Sequence, residues 1–503
     1  VSNPSPRVSV TKTREGYLVR VGDQSEPLLY GPGSDYFLAD CKRVAEALGV
    51  RGALIYEAVK NNVDAEAESI LENDNPLTLI KEQLDHLIAG EEENKLLLFV
   101  LLLSAKTRDP DFTEMILFKS SSGGGKSTLA NYLTGFYNTK KLGRVTRTAL
   151  DYTDLQNYEV LYLQELGQLD SEEHGISTIK FLSTEDKGYT IEFTVRDKET
   201  GEFTTRTKHI PPLTVVSSTT RVNLDGQYER RNWILSVDET PEQTERIRKL
   251  QARQELEKGE VALGLRGETS ADRARRVLER VVDLVQPHPV VILYPDTLMG
   301  ILQSPRLRIR GDFKKVTRLV KYYAWLKAKT IPSVKVGDQR VLFPRPEDAL
   351  EILKVAERSL VYMAHDIEGR DMKLLEGMES LGLVNRGDVI TPDLREELRL
   401  LLGYAKDTIV RYLNHLVDRG FLSDDDRKPK SYTLIHSLPS MKRQINAVSA
   451  TIQDQEALKL EMLREATKTL EALIAKKPEL EELRQHFTYT SPGLYPDSQQ
   501  GQE

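Results

Sequence analysis

Apolar and polar positions alternate through Arg7–Leu29 (RVSVTKTREGYLVRVGDQSEPLL) around turn signals, which predicts a small β element. From Tyr36 to about Leu87 the spacing becomes helical, as in VAEALGVRGALIYEAV, interrupted by the turn-like NDNP. Between about Gly90 and Lys249 short apolar runs alternate with helical segments, the pattern of an α/β layer. A charged helical stretch, Glu255–Gln286, and the Pro-bearing PHPVVILYP lead into residues 307–365, which read as mostly helical and amphipathic. In Asp388–Ile435 a helix from Pro392 precedes LGYAKDTIVRYLNHLVDRGFL, where Ile409, Leu413, Leu416 and Val417 share one face, and two short apolar strands flank DDDRKPKS. Helix, turn, second helix and β wing make a winged-helix pattern. The tail from about Met441 reads as a charged helix, and the closing TSPGLYPDSQQGQE lacks the apolar content to fold.

One apolar run carries chemistry. In Met115–Leu133 (MILFKSSSGGGKSTLANYL) a short strand enters a glycine loop that ends in Gly125-Lys126-Ser127-Thr128 and opens a helix. Glycines let backbone N–H groups close around phosphate, and the helix N-terminus favours negative charge. The segment reads as a P-loop for ATP: Gly123, Gly124 and Gly125 supply the loop, Lys126 reaches the β and γ phosphates, and Ser127 holds Mg²⁺. The usual first glycine is Ser120 here.

A P-loop without a hydrolytic acid only clamps nucleotide. Val160–Leu166 (VLYLQEL) reads as a buried strand ending in Gln164-Glu165, with Glu165 as the residue that polarises water and Gln164 where many ATPases place a metal-organising aspartate. A third apolar strand, Leu213–Ser218, ends in Thr219-Thr220-Arg221; the polar end of a central strand lies where open α/β sheets bind ligands, so Thr220 is a γ-phosphate sensor candidate. GQYERRNWILSVDET then sets Arg230 and Arg231 before another apolar strand, as arginine-finger candidates. Between acid and sensor, GYTIEFTVRDKETGEFTTRTKHIPP predicts a β-hairpin about 20 residues long, with Arg196 and Lys198 near its tip and Arg206 and Lys208 on the return strand.

Composition narrows the class. With 503 residues, 39% hydrophobic and 29% charged, the chain has material for two or three cores. Its longest apolar run, Leu96–Leu103, follows EEENK, is far too short for a bilayer and predicts a buried helix. A single cysteine, Cys41, allows neither an intrachain disulfide nor a zinc cluster and agrees with a cytoplasmic location; no membrane segment is evident. A net charge of -7 confines nucleic-acid binding to local basic strips. In the winged-helix segment those strips are Arg411, His415 and Arg419, four apart on the second helix, and Arg427, Lys428 and Lys430 in the wing, beside Asp424, Asp425 and Asp426. The chain begins with Val, as a processed form or an excised piece would.

Taken in order, KSSSGGGKST, VLYLQE, VSSTTR and YERRNWILSVDETPEQT resemble the AAA+ motor of phage and mobile-element replication proteins, in particular the helicase-like part of bacterial primase-helicases. GEEENKLLLFVLLLSA and RIRGDFKKVTRLVKYYAWLKA resemble the same group, and the resemblance covers roughly residues 85–435. The motor is also similar to minichromosome-maintenance and superfamily-three helicases, which share a hairpin before the sensor strand. The resemblance implies an α/β fold: an AAA+ P-loop core with a β-hairpin insertion, a helical lid and a C-terminal winged helix. The corresponding division is an N-terminal adaptor at 1–85, the ATPase core at 86–300, the lid at 301–380, the winged helix at 381–437 and a helical, partly disordered tail at 438–503. It implies ATP and Mg²⁺ as cofactors, Glu165 as catalytic glutamate, Thr220 as first sensor, Arg231 as the finger and Arg310 as second sensor, with Lys314 nearly as well placed. It also implies DNA as partner, a homo-oligomer of hexameric type and a primase, although no cysteine cluster or polymerase signature of a fused primase is visible. The expected activity is ATP-dependent translocation on single-stranded or forked DNA. A DNA-loading or regulatory ATPase that does not unwind, and a defence-associated ATPase scaffold, remain open beside it.

Overall fold

The structure is a computed structural model and describes residues 8–13, 16–30, 36–60, 62–119, 125–143, 150, 153–166, 189–196, 203–219, 226–238, 240–302, 309–365, 367, 369–425 and 427–488. The chain divides into two compact units.

The first unit comprises Val1–Gly90, Thr240–Gln286 and Leu326–Thr330. Its sheet is an antiparallel meander of β1 (Val8–Thr13), β2 (Gly16–Val21) and β3 (Gln24–Leu28). Tyr17, Val19 and Leu28 are buried with Phe37, Cys41 and Val44 of the helix Phe37–Ala47. Buried Asp40 of that helix accepts from the amides of Leu29 and Tyr30, at 2.6 and 3.1 Å, and so pins the chain where it leaves β3. The helix Ser270–Leu284 buries Ala274, Val277, Leu278, Val281 and Val282, an i, i+3, i+4, i+7, i+8 stripe, and packs on the helix Val63–Leu71. Arg273 and Arg280 reinforce the contact through Glu66 and Asp64, both at 2.7 Å. Thr240–Gln286 thus groups with the N-terminal segment in this unit. That stripe matches any apolar partner surface, and the sequence does not say which.

The second unit comprises Glu91–Glu239, Pro287–Trp325 and Ile331–Glu503. It is built on β4 (Met115–Lys119), β5 (Thr139–Leu142), β6 (Val160–Leu163), β9 (Thr214–Thr219) and β10 (Asn232–Leu235), which form one sheet in the order β10-β4-β9-β6-β5. Each neighbouring pair is parallel. Strands β4, β6, β9 and β10 are buried throughout, which accounts for their unbroken apolar runs. The helix Glu92–Leu102 is buried from Asn94 to Leu102, as LLLFVLLL predicts. Between acid strand and sensor strand, β7 (Tyr189–Arg196) and β8 (Phe203–Ile210) pair antiparallel from Tyr189↔Ile210 to Arg196↔Phe203.

Beyond the sheet, the helix Ile309–Leu326 is fastened to the start of β4. Fully buried Glu114 accepts from Tyr322 at 2.9 Å and from the Trp233 indole at 3.1 Å, and pairs with Arg318 at 2.8 Å. Residues 307–365 are not helical throughout: β11 (Ser333–Val336) and β12 (Gln339–Leu342) form a hairpin around Gly337, whose φ of +61° suits its tight turn. Further on, β13 (Val389–Ile390), β14 (Leu422–Asp424) and β15 (Tyr432–Leu434) form a sheet in the order β13-β15-β14. The helices Pro392–Leu402 and Lys406–Asp418 share its core through Leu398, Ile409, Leu413 and Leu416. Two helices, Leu438–Gln453 and Gln455–Ile474, follow; TSPGLYPDSQQGQE lies outside the described residues. No described helix is long and apolar enough to cross a membrane.

Candidate nucleotide site and nucleic-acid interface

Strand β4 delivers Lys119 to the carboxyl edge of the sheet, and after five residues outside the described set the chain re-emerges at Gly125. Gly125 caps the helix Lys126–Thr134 with φ +83° and ψ 0°, a left-handed conformation, and no atom of the described residues lies within 4 Å of where a Cβ would stand. Its requirement for glycine is conformational rather than steric. The helix is anchored by buried Leu129, Ala130 and Leu133. That anchoring leaves Ser127 and Thr128 exposed at the first turn, where helical amides have no intrahelical partner. Lys126 is buried at the same turn. A lysine, two hydroxyls and first-turn amides form a donor set that fits a polyphosphate with its Mg²⁺. Gly123 and Gly124 lie outside the described residues.

The acidic site meets this edge by register. Lys119 pairs with Thr219, and Leu163 with Ser217, so Glu165, two residues after Leu163, is level with Lys119 and Thr219. Its backbone is pinned from both sides: the Gln164 amide donates to Leu142 O at 3.0 Å, and the Leu166 amide to Ser218 O at 3.0 Å. The Ser218 hydroxyl adds a bond to Gln164 O. Glu165 is exposed and Gln164 half-buried, with its Oε1 3.3 Å from where a Cβ on Gly143 would stand. Thr220, one residue past β9, lies outside the described residues. One contributor is absent from the sequence reading. Fully buried Tyr162 of β6 lies in this region: burial pushes its phenol's pKa up, Ser127 acts the other way, and its hydroxyl makes no hydrogen bond among the described residues. Its only signal in VLYLQE is a tyrosine in an otherwise aliphatic strand.

Arg230 and Arg231 stand elsewhere. They end the short helix Gly226–Arg231, and Asn232, the next residue, pairs with Met115 at the start of β4. Arg231 is thus level with Glu114, five residues before Lys119, or roughly 16 Å along the strand at about 3.3 Å per residue. It lies at the opposite edge of the sheet from Gly125 and Lys126. Arg230 is exposed and Arg231 half-buried. Arg310 lies on the helix Ile309–Leu326 with its side chain outside the described residues, and Lys314, the alternative, is exposed. The adjacent Lys315 is buried and donates to the carbonyls of Arg230, at 2.7 Å, and Asn232, at 3.1 Å.

The basic candidates divide sharply. On the β7–β8 hairpin, Phe203, Thr204, Thr205, Arg206 and Thr207 are all exposed, so both faces of β8 are solvated over that stretch. Phe203, 73% exposed and paired with Arg196 at the tip end, adds an aromatic ring that the sequence reading passes over. Lys208 is committed to the Thr153 carbonyl, at the base. The Arg196 side chain and all of Lys198 lie outside the described residues. In the C-terminal sheet, Arg427 and Lys428 are exposed, whereas Lys430 is bound to Asp424. Asp425 accepts from the amides of Ser431 and Arg427, at 3.0 and 3.2 Å, so this acid closes the turn rather than merely cancelling charge. On the second helix only Arg411 of the three evenly spaced bases is exposed. His415 is buried against Asp371 at 3.2 Å, and Arg419 pairs with Glu229 at 3.1 Å. The four-residue spacing puts all three on one side of the helix, but that side turns inward after its first turn.

No family model and no curated protein matches this chain. Among solved structures it is similar to a full-length MCM homolog from Methanopyrus kandleri at 15% identity, with 60% of this chain and 62% of that chain covered and a TM-score of 0.37. It is also similar to JCV helicase, at 13% identity with 66% and 80% covered and a TM-score of 0.21. A third is the ORC2 protein of Aeropyrum pernix, at 11% identity with 69% and 89% covered and a TM-score of 0.19. The chain spans less than two thirds of the Methanopyrus protein. The chain's own five-stranded parallel sheet, with Gly125 and Glu165 at one carboxyl edge, fits an AAA+ core.

Proposed function

We propose that the chain is a ring-forming AAA+ ATPase that translocates on DNA as a replicative helicase of a phage, plasmid or mobile element. The observation that carries this reading is the split of the candidate residues between the two edges of one sheet. Gly125, Lys126, Ser127 and Glu165 share the carboxyl edge, and Arg231 lies at the other. An arginine so placed cannot serve its own nucleotide, and it suits a neighbouring subunit's. In such a ring, Lys126 and the first-turn amides bind the β and γ phosphates, Ser127 orients the metal side, and Glu165 takes up the proton of the attacking water. Bound Mg²⁺ would neutralise charge on the phosphates. Thr220 and Arg310 act as sensors in this reading. The segment 301–380 serves as the lid, and 381–437 as a winged helix that contacts DNA through Arg427, Lys428 and Arg411. The hairpin, with Arg196, Lys198 and Arg206, moves the phosphate backbone without reading sequence.

The loading reading without unwinding draws on the exposed wing bases. One comparison separates the two: ATP binding, ATP turnover and forked-duplex unwinding measured side by side on wild type, Lys126→Ala and Glu165→Gln. Lys126→Ala is expected to lose binding. Glu165→Gln is expected to bind normally and lose turnover by about 10²-fold or more, the usual worth of a positioned base. Wild-type turnover in Glu165→Gln would refute the site, and hydrolysis by the native chain without strand displacement would favour loading.

A further inference from the structure

One cluster of charge in the second unit that the nucleotide site does not use converges on Glu229. Its Oε1 lies 2.7 Å from Lys119 Nζ, and its Oε2 lies 3.1 Å from an Arg419 guanidinium nitrogen. Lys119 and Glu229 are both buried. Lys119 is the last residue of the strand that enters the glycine loop, and its ammonium also lies 5.7 Å from the centre of the Tyr362 ring. Arg419 caps the helix Lys406–Asp418, and its Nε lies 3.4 Å from His415 Nε2, whose ring meets Asp371. Glu229 itself directly precedes Arg230 and Arg231. A six-residue helix is too short to hold its own orientation. Its pose is set by what grips it: Ser217 on the Tyr228 hydroxyl at 2.8 Å, Lys315 on the Arg230 carbonyl, and the two cations on Glu229.

We infer that Glu229 is a positioning residue that holds the Arg230–Arg231 helix between the P-loop strand and the C-terminal helical module, so that Arg419 sets the reach of the finger toward the neighbouring subunit. The inference rests on the trans reading of Arg231. Any shift at the Lys119 end of β4, or at the helix that carries Arg419, changes the balance of the two ion pairs on one carboxylate. The coupling runs equally in both directions, as linkage requires. Through it, the nucleotide state of one subunit's P-loop biases the finger it presents to the next.

Arg419 is the residue to change, because its side chain is 22% exposed and its loss strands less buried charge than loss of Glu229. Arg419→Ala is expected to lower kcat about tenfold, the scale of one charge-assisted hydrogen bond. Binding of a fluorescent ATP analogue should stay unchanged, and Arg419→Lys should restore part of the rate. Mixing Arg419→Ala with Lys126→Ala should recover turnover, because the intact P-loop of the first chain then meets the well-held finger of the second. The control is Arg231→Ala mixed with Lys126→Ala. Failure of the control removes the trans finger and the inference with it. If the control recovers, then wild-type kcat in Arg419→Ala, or no recovery in its mixture, overturns the inference alone. If Arg419→Ala is unfolded by circular dichroism, Arg419→Gln, which keeps the packing stem, is read by the same criteria.

Discussion

Gly125 and Glu114 lie near opposite ends of the same strand and loop, and their substitutions should fail in opposite ways. Gly125 is left-handed, so Gly125→Ala costs roughly 1–2 kcal/mol of backbone strain, with no clash against the described residues. That strain falls on the turn that aims the first amides of the helix. ATP affinity should therefore drop about tenfold, with 1.4 kcal/mol worth a factor of ten, while the melting temperature moves little. Titration with a labelled analogue beside a melt checks both halves. Glu114 is far from the phosphates but fully buried, and its carboxylate meets Arg318, Tyr322 and Trp233. Glu114→Gln leaves the Arg318 cation without its counter-charge, a loss that typically costs about 3–5 kcal/mol. The denaturation midpoint should fall markedly in guanidinium or urea, with ATP affinity per folded molecule retained. An unchanged midpoint would mean that Arg318 finds another partner.

At the scale of elements, what was legible in the sequence was whatever local pattern alone determines. Strands β4, β6, β9 and β10 and the buried LLLFVLLL helix lie on the apolar runs of the sequence, whereas β5, TKKL, carries no such run and leaves no local signal. The VKVGDQRVL hairpin was submerged in a helical reading because its strands are only four residues each. The inward turn of His415 and Arg419 was invisible because their partners, Asp371 and Glu229, lie 44 and 190 residues away. The β7–β8 hairpin has the opposite character: a two-stranded ribbon whose β8 is solvated on both faces over Phe203–Thr207 is marginal by itself, so a binding partner should stabilise it. If that partner is a phosphate backbone, Arg196→Ala with Lys198→Ala should leave basal ATPase nearly intact. DNA-stimulated turnover should fall, and the salt dependence of DNA binding should become shallower because fewer counterions are released. Phe203→Ala should weaken single-stranded DNA binding by about 1–3 kcal/mol if the ring stacks on a base, with little change in salt slope. Neutralising Arg427 and Lys428 is the internal comparison and should affect loading more than steady unwinding. Normal unwinding in the hairpin variant with loss in the wing variant would move the DNA-driving element to the wing.

At the scale of the whole molecule, the two sheet edges make a statement about assembly that no single site makes. On the proposed reading, one chain carries the nucleotide edge and, roughly 16 Å away along the strands, an arginine pair that serves a neighbour's nucleotide. Such a pair of unlike surfaces is heterologous: each contact leaves one free surface of each kind, so association continues until rotation closes a ring. On that reading nucleotide completes the contact, because ATP held by Lys126 and Ser127 presents its phosphates to the neighbour's Arg231. Binding to the assembled state alone then shifts the equilibrium by mass action. Glu165→Gln, which should hold ATP without consuming it, is therefore expected to give a closed oligomer at low micromolar chain concentration when ATP and Mg²⁺ are present. Smaller species should dominate without nucleotide, or when Arg231→Ala is added to the same chain. Mass photometry reads this directly, with the hexamer as the expected mass. An oligomer of the same size with and without nucleotide, and indifferent to Arg231, would mean that the chains associate through other surfaces and that the arginine pair serves the chain in which it lies.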